Sequence, residues 1–143
     1  MIGSRMYFAF ADNMDENIIR KICPGVSFEG VAELPDHKFV FNKLGKATII
    51  EEANSSVWGI IWCLSCKDIY RLDKKEKEDL GVFEKLNQTV RLLDGNTLEA
   101  FLYLTPSTPE PRPNPDLLEH VVEQATFWSL PSDYISYLKS LAA

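Results

Sequence analysis

A chain of 143 residues in which 45% are hydrophobic and 25% charged has the length and apolar content to bury one core, which excludes disorder as its general state. Lys and Arg total 15 against 21 Asp and Glu, for a formal charge of −6; so acidic a chain repels phosphate backbones, and no nucleic-acid partner is expected. No apolar run reaches the roughly 18 residues of a membrane span, so a membrane partner is not expected either.

The first residues, with one Arg ahead of an aromatic stretch, lack the charged end and apolar core of a secretory signal, and residues 7–11 read as a short strand. A helix is predicted over 13–23, with Ile18, Ile19 and Ile22 on one side and Pro24-Gly25 as its stop. Apolar alternation then predicts strands over 26–34, 38–42, 47–51 and 57–63, separated by Pro35-Asp36, Gly45 and Asn54-Ser55-Ser56. Val57-Trp58-Gly59-Ile60-Ile61-Trp62 is nearly all apolar and reads as a central strand covered on both faces. Gly59 within it marks the close approach of another backbone or a ligand. Ser65 is placed to cap a helix running to Asp73, with Asp68 in the acidic first turn. Lys74-Lys75-Glu76-Lys77-Glu78-Asp79 follows as a mixed charge run, taken alone a solvated helix end. Strands over 83–93 and 97–104 flank Asp94-Gly95, a hairpin turn signal. Four prolines between 105 and 113 form a stiff surface crossing. Asn114-Pro115-Asp116 starts a helix with Leu117, Leu118, Val121, Val122 and Ala125 in one apolar stripe, and Ser132 opens a last helix with Tyr134, Ile135, Leu138 and Leu141 inward. The whole reads as an α+β fold, a single domain over 1–143, its mixed sheet curled into a small β-barrel with flanking short helices.

Three cysteines, Cys23, Cys63 and Cys66, make no disulfide framework, which points to the cytoplasm. Cys63-Leu64-Ser65-Cys66 has the spacing of a redox pair or half a zinc site. The plainer reading is that Cys63 ends a buried strand and Cys66 packs in a helix's first turn. His37 and His120 stand alone, and no Ser–His–Asp signature is present. Two places are chemically suggestive. A carboxylate in the charge run, where the chain re-enters the sheet, points across a barrel mouth toward the first strand. Phe10-Ala11-Asp12-Asn13-Met14 passes from strand to helix, and unpaired N–H groups at a helix start collect anions. At the same place Asp12 or Asn13 is suited to cap the helix.

The arrangement resembles the γ-glutamylcyclotransferase-like superfamily over nearly the whole chain, from Tyr7 to about Leu141. Tyr7-Phe8-Ala9-Phe10-Ala11-Asp12-Asn13-Met14 stands where that family has an aromatic strand ending in Tyr-Gly-Ser-Asn-Leu/Met. Gly45-Lys46-Ala47-Thr48-Ile49, Val57-Trp58-Gly59-Ile60-Ile61-Trp62 and Leu72-Asp73-Lys74-Lys75-Glu76 resemble its Ala-Thr-Ile, Val-Trp-Gly-Val-Val-Trp and Leu-Asp-x-x-Glu segments. Pro113-Asn114-Pro115, Ala125 and Leu130-Pro131-Ser132-Asp133-Tyr134 resemble its helical tail. The resemblance implies a barrel enzyme, a lyase or acyltransferase without metal or cofactor, that closes a γ-glutamyl amino acid, peptide or amine to 5-oxoproline. Glu76 falls at the catalytic carboxylate, an acid/base whose pKa an apolar wall of Phe10, Phe83 and Tyr103 is expected to raise. Substrate contacts are expected from Tyr7, Phe8, Ala9, Phe10, Ala11, Asp12, Asn13, Phe83, Tyr103 and Leu117, with the backbone N–H groups of residues 11–13 receiving the glutamyl carboxylate or the developing oxyanion. The pattern departs from the family at Phe10, Ala11 and Asp12, which replace Tyr, Gly and Ser, and at Lys77, Phe83 and Leu117. Those departures leave open a second reading, a non-catalytic small-molecule-binding or interaction domain on the same fold. Monomer and homodimer are equally open.

Overall fold

The structure, a computed structural model, describes residues 3–142. Strands β1 (Arg5–Ala9), β2 (Ser27–Phe41), β3 (Ala47–Leu64), β4 (Glu84–Leu92) and β5 (Thr97–Leu104) close into a barrel in the order β1-β3-β2-β4-β5. Helices α1 (Glu16–Ile22), α2 (Cys66–Leu80), α3 (Pro115–Phe127) and α4 (Ser132–Ser140) flank it. The sheet is mixed because β1, antiparallel to β3, closes the barrel by a parallel pairing with β5 at Tyr7 and Phe101. Among the described residues no helix is long and apolar enough to cross a membrane.

One core fills the barrel and the space beneath the helices. Phe8, Ile19, Leu34, Phe39, Ile60, Trp62, Leu72, Phe101 and Leu102 are fully buried in it. Residues 57–62 lie at the centre as their composition requires, paired with β1 on one side and β2 on the other. A Cβ at Gly59 would stand 2.3 Å from the Ala9 carbonyl oxygen and 3.0 Å from the Phe8 ring. Only a residue without a side chain lets β1 lie this close.

The expected elements are altered in three places. Pro35-Asp36 and Asn54-Ser55-Ser56 do not end strands. The pairing passes from Pro35↔Ser56 to His37↔Glu51, so both stretches form one bulge inside two long strands. Asp36 and Asn54 carry it with φ of +59° and +67°, and the Asn54 N–H donates to Asp36 Oδ1 at 3.1 Å. Asp and Asn tolerate that backbone region better than other residues with side chains, and a bulge bends a strand sharply enough to help close a small barrel. The first helix is split into a 3-10 turn over Asp12–Met14 and α1. The third change matters most for chemistry: α2 does not stop at Asp73 but runs to Leu80, so the charge run is helical.

Candidate active site

The site begins where β1 leaves the barrel. Asp15, and neither Asp12 nor Asn13, caps α1, its carboxylate accepting from the Asn17 N–H at 2.9 Å. His120 Nε2 lies 2.8 Å from Asp15 Oδ2 and ties α3 to the same cap. With the cap one turn further on, the Asp12–Met14 turn is free to face inward. Two indoles pin it: Trp62 Nε1 donates to the Asn13 carbonyl at 2.9 Å and Trp128 Nε1 to the Met14 carbonyl at 2.8 Å.

Glu76 comes from α2. Ser65 starts that helix, accepting from the Asp68 N–H at 3.2 Å. From there Ile69, Leu72 and Glu76 fall on one face at helical spacing and are all buried. A carboxylate thus occupies an apolar stripe, while Lys74, Lys75, Lys77 and Glu78 around it are exposed. Glu76 retains 8% of its surface. The Asn13 amide nitrogen donates to Glu76 Oε1 at 2.6 Å and to Tyr7 Oη at 3.0 Å, joining α2, the turn and β1. Burial, with the Asp12 charge added, pushes the Glu76 carboxyl up to about 7, against the pull of the Asn13 hydrogen bond. A carboxyl poised near neutrality can both take and return a proton.

These groups open on a cavity of about 440 Å³. Of the residues expected to contact substrate, Tyr7, Phe10, Ala11, Asp12, Asn13, Tyr103 and Leu117 line it together with Glu76. Phe8 and Ala9 do not reach it. Phe8 is fully buried in the core and Ala9 lies against Gly59, because alternate residues of β1 face opposite ways and the Gly59 contact draws that stretch into the sheet. Phe83 is also outside, lining a separate 170 Å³ hollow with Ile49 and Leu104. It acts from behind, its ring edge-on to Tyr103 at 5.2 Å. The apolar wall around Glu76 is therefore Phe10, Tyr103 and Leu117.

Two charged side chains shape the electrostatics of the cavity. Asp12 does not turn away from the cavity. Burial and the Asp79 charge raise its pKa, while His120 and the backbone N–H groups of Asp12 and Asn13 pull it down. The Asp12 carboxylate thus lies close to the Asp12 and Asn13 N–H groups, two of the three expected to receive a substrate carboxylate. The second feature is Lys46. Asn42 Oδ1 accepts from the N–H groups of Leu44 and Lys46 at 2.9 and 3.1 Å, shaping the β2–β3 turn, and Gly45 (φ +72°) allows that turn to sit against Asn114. This brings Lys46 to the cavity wall, where it makes no ion pair with any described residue. Lys46, Asp79, Leu80 and Asn114 were not foreseen from sequence as wall residues. Asp79 and Leu80 reach the wall because α2 continues past Asp73; Asn114, at the expected helix start, caps α3, accepting from the Leu117 N–H at 3.2 Å.

Tyr103 is oriented from outside the cavity. Its hydroxyl donates to Asp73 Oδ1 at 2.5 Å, and Lys85 Nζ holds both Asp73 oxygens at 3.0 and 2.8 Å. Burial and that carboxylate raise the Tyr103 pKa far above its ordinary value. Among the described residues no three His, Cys, Asp or Glu side chains are grouped to hold a metal ion. Cys63 pairs within the ladder beside Met6 and Ser27, and Cys66, exposed rather than packed in the helix, has its Sγ 2.9 Å from the Gly3 carbonyl.

The sequence profile of the AIG2-like family matches residues 56–138. Curated relatives include the gamma-glutamylcyclotransferase of Bos taurus, 28% identical over 148 aligned positions that cover 96% of this chain and 79% of the relative. The gamma-glutamylcyclotransferase of Homo sapiens is 27% identical with the same coverage. Among solved structures, one described as gamma-glutamyl cyclotransferase superposes with a TM-score of 0.86 at 26% identity, covering 97% of this chain and 88% of the other.

Proposed function

The chain belongs to the AIG2-like family, and we propose that it releases 5-oxoproline from a γ-glutamyl amino acid, peptide or amine by intramolecular cyclisation. The observation that carries this reading is Glu76: a buried carboxyl in an open cavity, fixed by Asn13 and poised near neutrality. The similarity to proteins named gamma-glutamylcyclotransferase supports it.

In the proposed reaction the substrate's α-amine bonds to its γ-carbonyl carbon, and Glu76 takes the proton that the nitrogen sheds. The carbonyl electron pair moves to oxygen. On its return the bond to the leaving amine breaks, and Glu76 delivers the proton to that nitrogen. Attack within one molecule needs the substrate held folded, and orientation supplies much of the acceleration. Acid–base transfer by Glu76 adds roughly 10²–10⁴. The substrate α-carboxylate is assigned to Lys46, the cation of the cavity wall, away from the Asp12 carboxylate. The test is incubation with a panel of γ-glutamyl peptides and γ-glutamylamines, with chromatographic assay of 5-oxoproline. Turnover by the native chain and its loss in Glu76→Gln are expected; no turnover on any member overturns the reading.

Asp12 favours a second reading. A carboxylate at the expected anion seat suits a cavity that binds an amine-bearing metabolite without converting it. A thermal shift with such compounds and no 5-oxoproline from the panel would identify that case.

A further inference from the structure

We propose that the Tyr7 hydroxyl is a catalytic hydrogen-bond donor, holding the γ-carbonyl oxygen of the substrate as negative charge develops on it. The proposal rests on the cyclisation reading above and adds to it the group that stabilises the oxyanion.

Asn13 Nδ2 lies 2.6 Å from Glu76 Oε1 and 3.0 Å from Tyr7 Oη. Both contacts are made by the amide nitrogen, the orientation that the ionised Glu76 carboxylate, an acceptor only, requires. An amide NH₂ has two hydrogens, and these two contacts use both. Tyr7 Oη is therefore an acceptor toward Asn13, and its own hydrogen points elsewhere. Among the described residues nothing accepts that hydrogen, although Tyr7 retains only 5% of its surface and lines the cavity. A buried hydroxyl hydrogen without a protein partner is costly to maintain unless a ligand or solvent takes it.

The other tyrosine in the wall shows the contrast. Tyr103 gives its hydrogen to Asp73, which Lys85 holds in place. Its oxygen has no hydrogen left to offer an anion. Of the two hydroxyls, only that of Tyr7 is arranged as a donor to the cavity.

The geometry also joins the two halves of the reaction. Asn13 bridges the carboxyl that takes the amine proton and the hydroxyl that faces the new oxyanion, and both indole contacts hold the turn carrying Asn13. When the α-amine nitrogen bonds to the γ-carbon, its proton passes to Glu76 and the displaced electron pair rests on oxygen, hydrogen-bonded to Tyr7. When the pair returns and the leaving amine departs with a proton from Glu76, that hydrogen bond weakens. Tyr7 transfers no proton. Burial and the Glu76 charge raise its pKa well above the ordinary tyrosine value, so it stays protonated throughout.

The test is Tyr7→Phe, which keeps the ring stacked at 5.2 Å on Phe101. Loss of one oxyanion donor should lower kcat for 5-oxoproline release by about 10²–10³, with KM changed less than about threefold and the pH midpoint of the rate unmoved. A kcat within about threefold of the native value overturns the proposal. So does a fall in kcat accompanied by a displaced pH midpoint, or a variant that no longer folds, because the hydroxyl then acts by holding Asn13 and Glu76. A second measurement needs no variant. In native protein carrying ¹³Cζ-tyrosine, saturation with a cyclic phosphinate that mimics the tetrahedral anion should move the assigned Tyr7 resonance downfield. An unmoved resonance at saturation overturns the assignment. Absence of turnover by the native chain is a different failure, that of the cyclisation reading itself.

Discussion

Glu76 should make the protein less stable as the pH rises, and Glu76→Gln should remove that dependence. Burial, chiefly, takes its carboxyl from an ordinary 4.5 to about 7 in the folded chain. Between those values the folded chain keeps a proton that the unfolded chain releases. The stabilisation linked to Glu76 is therefore fully present below about 4.5 and lost as the pH climbs through about 7. At about 1.4 kcal/mol per pH unit, the ionised side chain costs roughly 3 kcal/mol at pH 8 relative to pH 4. A glutamine accepts the same Asn13 hydrogen bond without taking up charge. Melting followed by circular dichroism on both chains from pH 4 to pH 8 reads the difference directly, because titrating groups that do not interact with Glu76 cancel. The variant should gain on the native chain by roughly 6–12 °C across that range while losing its activity. A difference that stays flat with pH would refute the reasoning, since it would mean that Glu76 is no more protonated folded than unfolded.

Asp12→Asn removes the second cause of the raised Glu76 pKa, so the pH midpoint at which turnover rises should move to lower pH; an unmoved midpoint in a rate–pH profile contradicts the coupling. Lys46→Met should raise KM for substrates with a free α-carboxylate by tenfold or more, in line with about 1.5–3 kcal/mol for a hydrogen bond to a charged group. Esterifying that carboxylate should erase the difference between the two chains. Gly59→Ala puts a methyl 2.3 Å from the Ala9 carbonyl oxygen, where only movement of β1 relieves it. It should destabilise by about 1–3 kcal/mol, and a melting temperature equal to the native one would show that β1 shifts freely.

What could be read from sequence was local. Asp94-Gly95 marks its hairpin because the turn demands unusual backbone angles, and Gly95 has φ +90°. Ser65 and Asn114 mark helix starts because their side chains answer specific N–H groups. The strand over 57–62 is legible because burial on both faces leaves no polar alternation. What depends on the tertiary arrangement was not legible. Pro35-Asp36 and Asn54-Ser55-Ser56 carry ordinary turn chemistry, and only their pairing across two strands makes them a bulge. The charge run masks the last seven residues of α2, because one buried carboxylate among exposed charges has no compositional signature; Ile69, Leu72 and Glu76 at helical intervals are the available sign. Glu76 stands out through resemblance in the Leu72–Glu76 segment, and its partner Asn13 through a different one, the strand-to-helix stretch Tyr7–Met14. Lys46 was out of reach because nothing local says that the β2–β3 turn folds over the end of β1. Asp12 was identified as an anion near the expected carboxylate seat, but whether it capped α1 depended on Asp15 doing so first.

The central claim is that the Glu76 carboxyl carries the proton of the reaction from within a low-dielectric cavity. Its own titration tests this most directly: the ¹³C carboxyl resonance of Glu76, assigned by its absence in Glu76→Gln, followed from pH 3 to pH 9 beside the rate of 5-oxoproline release. Both should have a midpoint near 7. A carboxyl titrating near 4.5, or a rate whose midpoint does not follow it, would contradict the account.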